Sequence, residues 1–471
     1  MEDRIARRWV RRVPVILSIV LLAGAIAGVL SCRLAASERP VDVQVTRPFK
    51  EHSPWMDPGE SDSEDVLYST VALMFTPVAT TYLPLVSRLG GIDAWALWNG
   101  TTQLRGANVF QRRVYPDLDG PDFFGPGPVG PPYTQADFDA LSAMGANYVN
   151  ISHPGLFTES PPYTVDQGIQ NNLDDLLGMI AQADMFAVIS FRTGPGRAEF
   201  SVCCLGEDWF GDSYYNDSVW QDQAAQDAWV AMWQTTAQRY RDNPVVVGYD
   251  LMVEPNSNEV GSDATNPLDI WDPDEFYDTY GGTLYDWNQL YPRITAGIRQ
   301  VDADTPILIG GMGYSAVDWL PYLQPTGDPR TVYVVHQYAP FDYTHQAPPA
   351  TRTYPDGSFD RAWLDDLLST VDDFKSAYNV PVAVNEYGVM RWVPGADDFM
   401  DDQMDLFEQR GMNHALWLWE TSWPPIQDEI DAFNFRHGPD PDNYTDVASS
   451  DLIAVIEEHW GRNTVFSLSR R

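Results

Sequence analysis

Val245-Val246-Val247-Gly248-Tyr249-Asp250-Leu251-Met252-Val253-Glu254-Pro255 carries the pattern from which the architecture of the chain follows. It is a β-branched and apolar run with no sustained polar face, as a strand covered on both sides requires, and it ends on a carboxylate followed by Pro. The flanking segments 220–241 and 284–301 carry apolar residues at helical spacing, so strand and helix together form one βα unit. The same alternation recurs outward from it. Strands are expected at 104–110, 147–152, 186–191, 245–253, 306–310, 332–338, 382–387 and 415–419. Helices are expected at 135–144, 169–183, 220–241, 284–301, 316–323, 361–378, 397–410 and 449–460. This eightfold alternation implies an α/β fold, a closed (β/α)8 barrel whose chemistry gathers on the loops after the C-terminal ends of the strands. The long segments 193–218 and 254–283 then become loops of the active face.

The chain has 471 residues, 44% of them hydrophobic, which excludes a disordered or fibrous protein. Sixty-seven Asp and Glu against 29 Lys and Arg leave a formal charge of −38, a field that repels nucleic acid and anionic lipid. The only lysines are Lys50 and Lys375, and a Lys-poor, Asp-rich surface fits either a salt-adapted organism or an exported protein.

Five arginines before residue 13 precede an apolar run at 13–30, the order of an export signal or single anchor with the remainder outside the cytoplasm. The run closes on Val29-Leu30-Ser31-Cys32, which resembles a lipoprotein processing site and makes Cys32 a lipidation candidate; an uncleaved anchor is the other reading. The expected organisation is a signal or anchor at 1–31, a polar Pro-punctuated linker at 32–65, an extension packing on the barrel floor at 66–99, the barrel at 100–462 and a tail at 463–471. Membrane contact is expected only through this N-terminal segment. Adjacent Cys203 and Cys204 offer no disulfide framework, only a vicinal disulfide or two thiols. The scattered histidines lack metal-site spacing, so neither metal nor cofactor is expected.

Two carboxylates end strands on the expected active face: Glu254, and Glu386 in Val384-Asn385-Glu386-Tyr387-Gly388. Facing carboxyls, one protonated and one ionised, are the equipment of acid-assisted nucleophilic displacement at a glycosidic carbon. Around them stand Leu104-Arg105-Gly106-Ala107-Asn108, Met144-Gly145-Ala146-Asn147-Tyr148-Val149, His336-Gln337-Tyr338 and Trp417-Leu418-Trp419. In this order on consecutive strands, they resemble the motifs of glycoside hydrolase family 5 over roughly residues 100–462. The resemblance implies a retaining β-glycosidase with Glu254 as acid/base and Glu386 as nucleophile. It further implies His336 lining the cleft, Tyr338 hydrogen-bonded to the nucleophile, an aromatic sugar platform for which Trp419 is the expected residue, and a β-1,4-glucan or mannan as substrate.

Three departures from the family pattern bear on substrate more than on reaction. Val253 stands where members carry Asn, so Asn256 or Asn385 is expected to supply the missing amide; Arg is absent near the end of strand two, and His from the end of strand three. Arg192 is expected to replace one of these, as a cation near the nucleophile, with a loop salt bridge as the alternative. Aromatic residues crowd the active-face loops, among them Trp209, Phe210, Trp271, Tyr314, Phe341, Trp392 and Trp423, which suits sugar stacking. The other readings are a catalytically silent glycan-binding barrel and a transglycosylase or glycolipid glycosidase using the same residues.

Overall fold

The structure, a computed structural model, describes residues 93–120, 122–203, 214–260, 268–427 and 432–467. The export segment, Cys32, the linker, residues 66–92, Cys204, Trp209 and Phe210 lie outside the described residues. Eight parallel strands close a barrel: β1 (Arg105–Phe110), β2 (Tyr148–Pro154), β3 (Phe186–Thr193), β4 (Val246–Asp250), β5 (Ile307–Gly310), β6 (Thr331–Gln337), β7 (Val382–Tyr387) and β8 (His414–Leu416). Each strand pairs with its neighbours in chain order, and β8 returns to β1. The barrel helices are α1 (Gln135–Ala143), α2 (Gln167–Gln182), α3 (Gln223–Tyr240), α4 (Trp287–Arg299), α5 (Arg361–Tyr378), α6 (Ala396–Gln409) and α7 (Asp451–Trp460). Asp166, Asp222, Asp286 and Asp360 cap α2, α3, α4 and α5 through their carboxylates, one use for the acid surplus.

Three expected elements differ. The strand expected to run to residue 253 ends at Asp250, because the chain beyond it turns to present Glu254. The last strand ends at Leu416 rather than 419. Between β5 and β6 the expected helix is a six-residue 3-10 turn, Val317–Tyr322, since Pro321 and Pro325 deny the backbone donors a longer helix needs.

Two apolar layers hold the barrel. An outer one lies between strands and helices, and an inner one joins Leu104, Tyr148, Phe186, Val188, Leu308 and Val334 inside the strands. The 3-10 helix Ala94–Trp98 caps the inner layer: Leu97 and Trp98 are buried in it, and Trp98 Nε1 donates to the Val247 carbonyl at 2.9 Å. Residues just past α7 are stitched to the same end, Asn463 donating to the Arg105 and Gly145 carbonyls. Gly106 has no alternative in β1, because a Cβ there would lie 1.8 Å from the Tyr148 carbonyl oxygen. Toward the C-terminal end the interior turns polar. Asn150 donates to Asn108 at 2.7 Å, Ser190 to Asn150 at 2.6 Å and Asn385 to Asp250 at 2.6 Å, a layer that supports what stands above it.

Candidate active site

A break in strand register sets the site. Val335 of β6 is opposite Val384, but His336 is opposite Glu386, so Asn385 is an extra residue in β7. Such a bulge re-aims the next side chain. Glu386, which strict alternation would send outward with Val384, instead joins the interior group: Tyr338 donates its hydroxyl to Glu386 Oε1 at 2.9 Å, and His336 Nδ1 lies 3.7 Å from Oε2. His336 Nδ1 is also 3.0 Å from Glu254 Oε1. Carboxyl oxygens of Glu254 and Glu386 come within 4.8 Å of each other. So close an approach accords with double displacement, where the carboxyls stand roughly 5–5.5 Å apart, more than with the roughly 6.5–9.5 Å that leaves room for a water between them.

Glu254 is held in a backbone conformation that side chains disfavour, with φ +52°. Arg197 explains how it persists. Its fully buried guanidinium donates to the Arg192 and Val253 carbonyls at 2.7 Å, to the Glu254 carbonyl at 2.6 Å and to Asn256 Oδ1 at 3.1 Å. Burial and the nearby charge of Arg192 lower the Arg197 pKa to about 9. Arg197 and Glu199 carry no signal in the sequence, because nothing in Gly194-Pro195-Gly196-Arg197-Ala198-Glu199 separates them from ordinary loop charges.

Burial lifts the Glu386 carboxyl to about 7, against the pull of His336, Arg192 and the Tyr338 hydroxyl, while the neighbouring Glu254 pushes it further up. Burial disfavours the His336 cation, but Glu386 and Glu254 outweigh it and raise the ring to about 9. Asp250, beneath them, is raised to about 6 by burial. The cluster therefore holds a cationic imidazole against a Glu386 carboxyl that titrates near neutrality, with Glu254 within reach of the same ring. Glu254, His336 and Glu386 stand close enough to grip a cation, yet a protonated imidazole has no lone pair to offer one.

The remaining expected residues fall into two groups. Arg192 combines both of its readings: it pairs with Glu199 at 3.0 Å, and its charge still reaches Glu254 and Glu386. Its guanidinium sits 5.0 Å over Phe110 and 6.0 Å from the Trp417 ring. Asn256 does not face the site, since its amide is used by Arg197, by the Ser201 carbonyl at 2.9 Å and by Tyr314. Asn385 points its amide nitrogen down to Asp250, leaving Oδ1 without a protein partner. Trp419, the expected platform, is 1% exposed, packed on Phe435 and under Arg436, while Trp417, 8% exposed and also buried, lies beside Arg192 and Phe110. Strand β8 has ended before either tryptophan, so its two-residue alternation no longer governs them. Of the loop aromatics, Trp271 stacks on Tyr314 at 5.8 Å, and Tyr314 senses the charge of Glu254.

Eight parallel strands with this carboxyl pair at the ends of β4 and β7 define the class of retaining barrel glycosidases. The family model described as cellulase, glycosyl hydrolase family 5, matches residues 102–422, and the chain belongs to that family. Cellodextrinase A of Ruminococcus flavefaciens is 24% identical over 212 residues, 42% of this chain and 56% of that protein. Endoglucanase C of Acetivibrio thermocellus is 26% identical over 220 residues, 45% of this chain and 52% of that protein. The chain thus spans about half the length of the curated relatives it matches. In fold it is similar to the endoglucanase Cel5A of Thermotoga maritima, with a TM-score of 0.55 at 16% identity, covering 78% of this chain and 100% of that one.

Proposed function

We propose that the protein is a retaining β-glycoside hydrolase acting on a β-1,4-glucan or mannan outside the cytoplasm. The observation that carries this reading is the approach of the Glu254 and Glu386 carboxyl oxygens to within 4.8 Å, with Tyr338 bonded to one carboxyl and His336 beside both. Glu386 attacks the anomeric carbon as the glycosidic C–O bond breaks, and the Glu254 proton goes to the leaving oxygen. A water then yields its proton to Glu254 and its oxygen to the anomeric carbon, which frees Glu386. His336 lies near both carboxyls, so its charge supports whichever is ionised in each half-reaction. Arg192 adds positive charge beside the nucleophile, and Trp417 offers the aromatic face for the sugar. The names of the relatives, a cellodextrinase and an endoglucanase, favour a glucan.

The extracytoplasmic placement rests on the arginine-led apolar run at 13–30 and on Cys32 as a lipid site. Among the described residues no helix is long and apolar enough to cross a membrane. The test is mass spectrometry after incubation with 2-deoxy-2-fluoro β-cellobioside and β-mannoside inactivators. An adduct on the peptide carrying Glu386 is expected, and the sugar that reacts names the substrate. A folded protein that binds glycan yet forms no adduct is instead a silent binding barrel.

A further inference from the structure

The turn between β5 and β6 leaves a gap in the outer wall. A six-residue 3-10 helix is about 12 Å long, while its neighbours α4 and α5, of 13 and 18 residues, run about 20 and 27 Å. A depression of about 440 Å³ opens there, a volume within the usual range for small-molecule sites. Its lining includes Tyr277, Tyr322, Tyr378, Asp286, Gln289 and Gln324. Tyr277 and Tyr322 stack in parallel at 5.4 Å, and Tyr322 is fixed by a hydroxyl bond to Asp274 at 2.8 Å. Tyr378, at the end of α5, is 46% exposed, so its ring is open to a ligand. Gln289 and Gln324 are exposed on the rim; Gln289 donates one amide hydrogen to Asp286 at 3.2 Å, and its carbonyl and the Gln324 amide face outward for hydrogen bonding. The Asp286 carboxylate is already used, by the amides of Gly282 and Asn288.

We propose that this trough is a second glycan-binding site, separate from the carboxyl pair, for a neutral β-linked glucan chain. Phenol rings and primary amides match the apolar faces and hydroxyl edges of a sugar. Among the described residues no Lys or Arg lines the trough, and the protein carries a charge of −38, so phosphorylated or sulfated ligands are disfavoured. The segment carrying Tyr277 also carries Trp271, which stacks on Tyr314, so one wall of the trough continues from a loop of the active face. The identity of the chain as a glucan rests on the reading above, and the trough, on the outer wall between α4 and α5, holds polymer without taking part in cleavage.

Retention of the full-length protein on swollen cellulose tests the trough, with Glu386→Gln as the background so that nothing is consumed. Adding Tyr322→Ala and Tyr378→Ala is expected to weaken retention about two- to tenfold per ring, the worth of one aromatic contact. Tyr378→Phe, which keeps the face, is expected to retain. In the active protein the same alanine changes should leave turnover of a soluble aryl β-cellobioside unchanged while slowing release of sugar from cellulose. Retention unaltered by both alanines, or absent in the parent, overturns the trough. A wild-type protein that cleaves no β-glucan overturns the catalytic reading instead, and the retention assay is read independently of it.

Discussion

The Glu386 carboxyl and the His336 ring are both shifted upward, to about 7 and about 9. A group with a raised folded pKa contributes stability that is complete below its unfolded pKa and is lost as pH climbs through the folded one. For Glu386 that window is about 4.5 to 7, and for His336 about 6.5 to 9. The protein should therefore lose stability as pH rises from 5 to 9. Glu386→Gln keeps the shape of the protonated acid and cannot ionise, so it should change Tm little at pH 5 and raise it by a few degrees at pH 8. A few degrees corresponds to a relief on the order of 2 kcal/mol, and calorimetry showing the same Tm difference at both pH values sinks the idea. The two tryptophans after β8 should separate in the same way. Trp419→Ala empties a fully buried site at a cost of about 3–5 kcal/mol, yet the molecules that remain folded should keep their kcat. Trp417→Ala should also cost stability, because its ring is only 8% exposed, but it alone should remove most of the turnover. Denaturant midpoints set beside kcat decide it, and a large activity loss confined to Trp419→Ala would restore the platform that alternation along the strand suggests.

The barrel strands were legible because a strand covered on both faces is mostly apolar, and β2, β3 and β6 are buried at every position, their polar residues gathering toward the C-terminal end. The glutamates were legible for a related reason: a carboxylate at the end of such a run, on the face where barrels keep their loops, has no packing reason to be there. What escaped depends on contacts remote in sequence. The bulge at Asn385 is a fact about register with β6, and no local pattern marks it. Arg197 is an ordinary loop arginine until the fold brings the carbonyls of Arg192, Val253 and Glu254 to it. That contact couples two loops, after β3 and after β4, and keeps Glu254 in its left-handed conformation. Arg197→Met retains bulk without the donors. It should lower kcat about 10- to 100-fold, the usual effect of small misplacement, and lower stability by about 3–5 kcal/mol by stranding buried groups. Lys, which keeps the charge but only one donor centre, should recover part of the stability and little of the rate. If Arg197→Met is folded and fully active, the left-handed Glu254 does not need the clamp.

A net charge of −38 acts on the molecule as a whole. Many arginines are committed to specific carboxylates: Arg105 and Arg462 reach Glu408, Arg299 holds Asp328, and Arg410 holds Asp365. These pairs neutralise locally, but most acid remains without a cation, and its repulsion falls on the compact state more than on the expanded one. Salt weakens both the pairs and the repulsion. Exposed pairs are worth about 0–1 kcal/mol each, while the repulsion sums over every uncompensated acid, so screening should favour the fold. The Debye length shrinks from about 10 Å at 0.1 M to about 3 Å at 1 M, and most of the gain should come in that interval. Sodium chloride is the appropriate salt, because sulfate strengthens burial by its exclusion from the surface. At pH 7, Tm should climb between 0.05 and 1 M chloride and then level off. A fall would mean that the ion pairs outweigh the surplus charge, and a linear climb past 2 M would place the effect in salt exclusion or ion binding instead of screening. The trough at Tyr378 and the carboxyl pair are both read with neutral ligands, so glycan binding should persist across the same salt range.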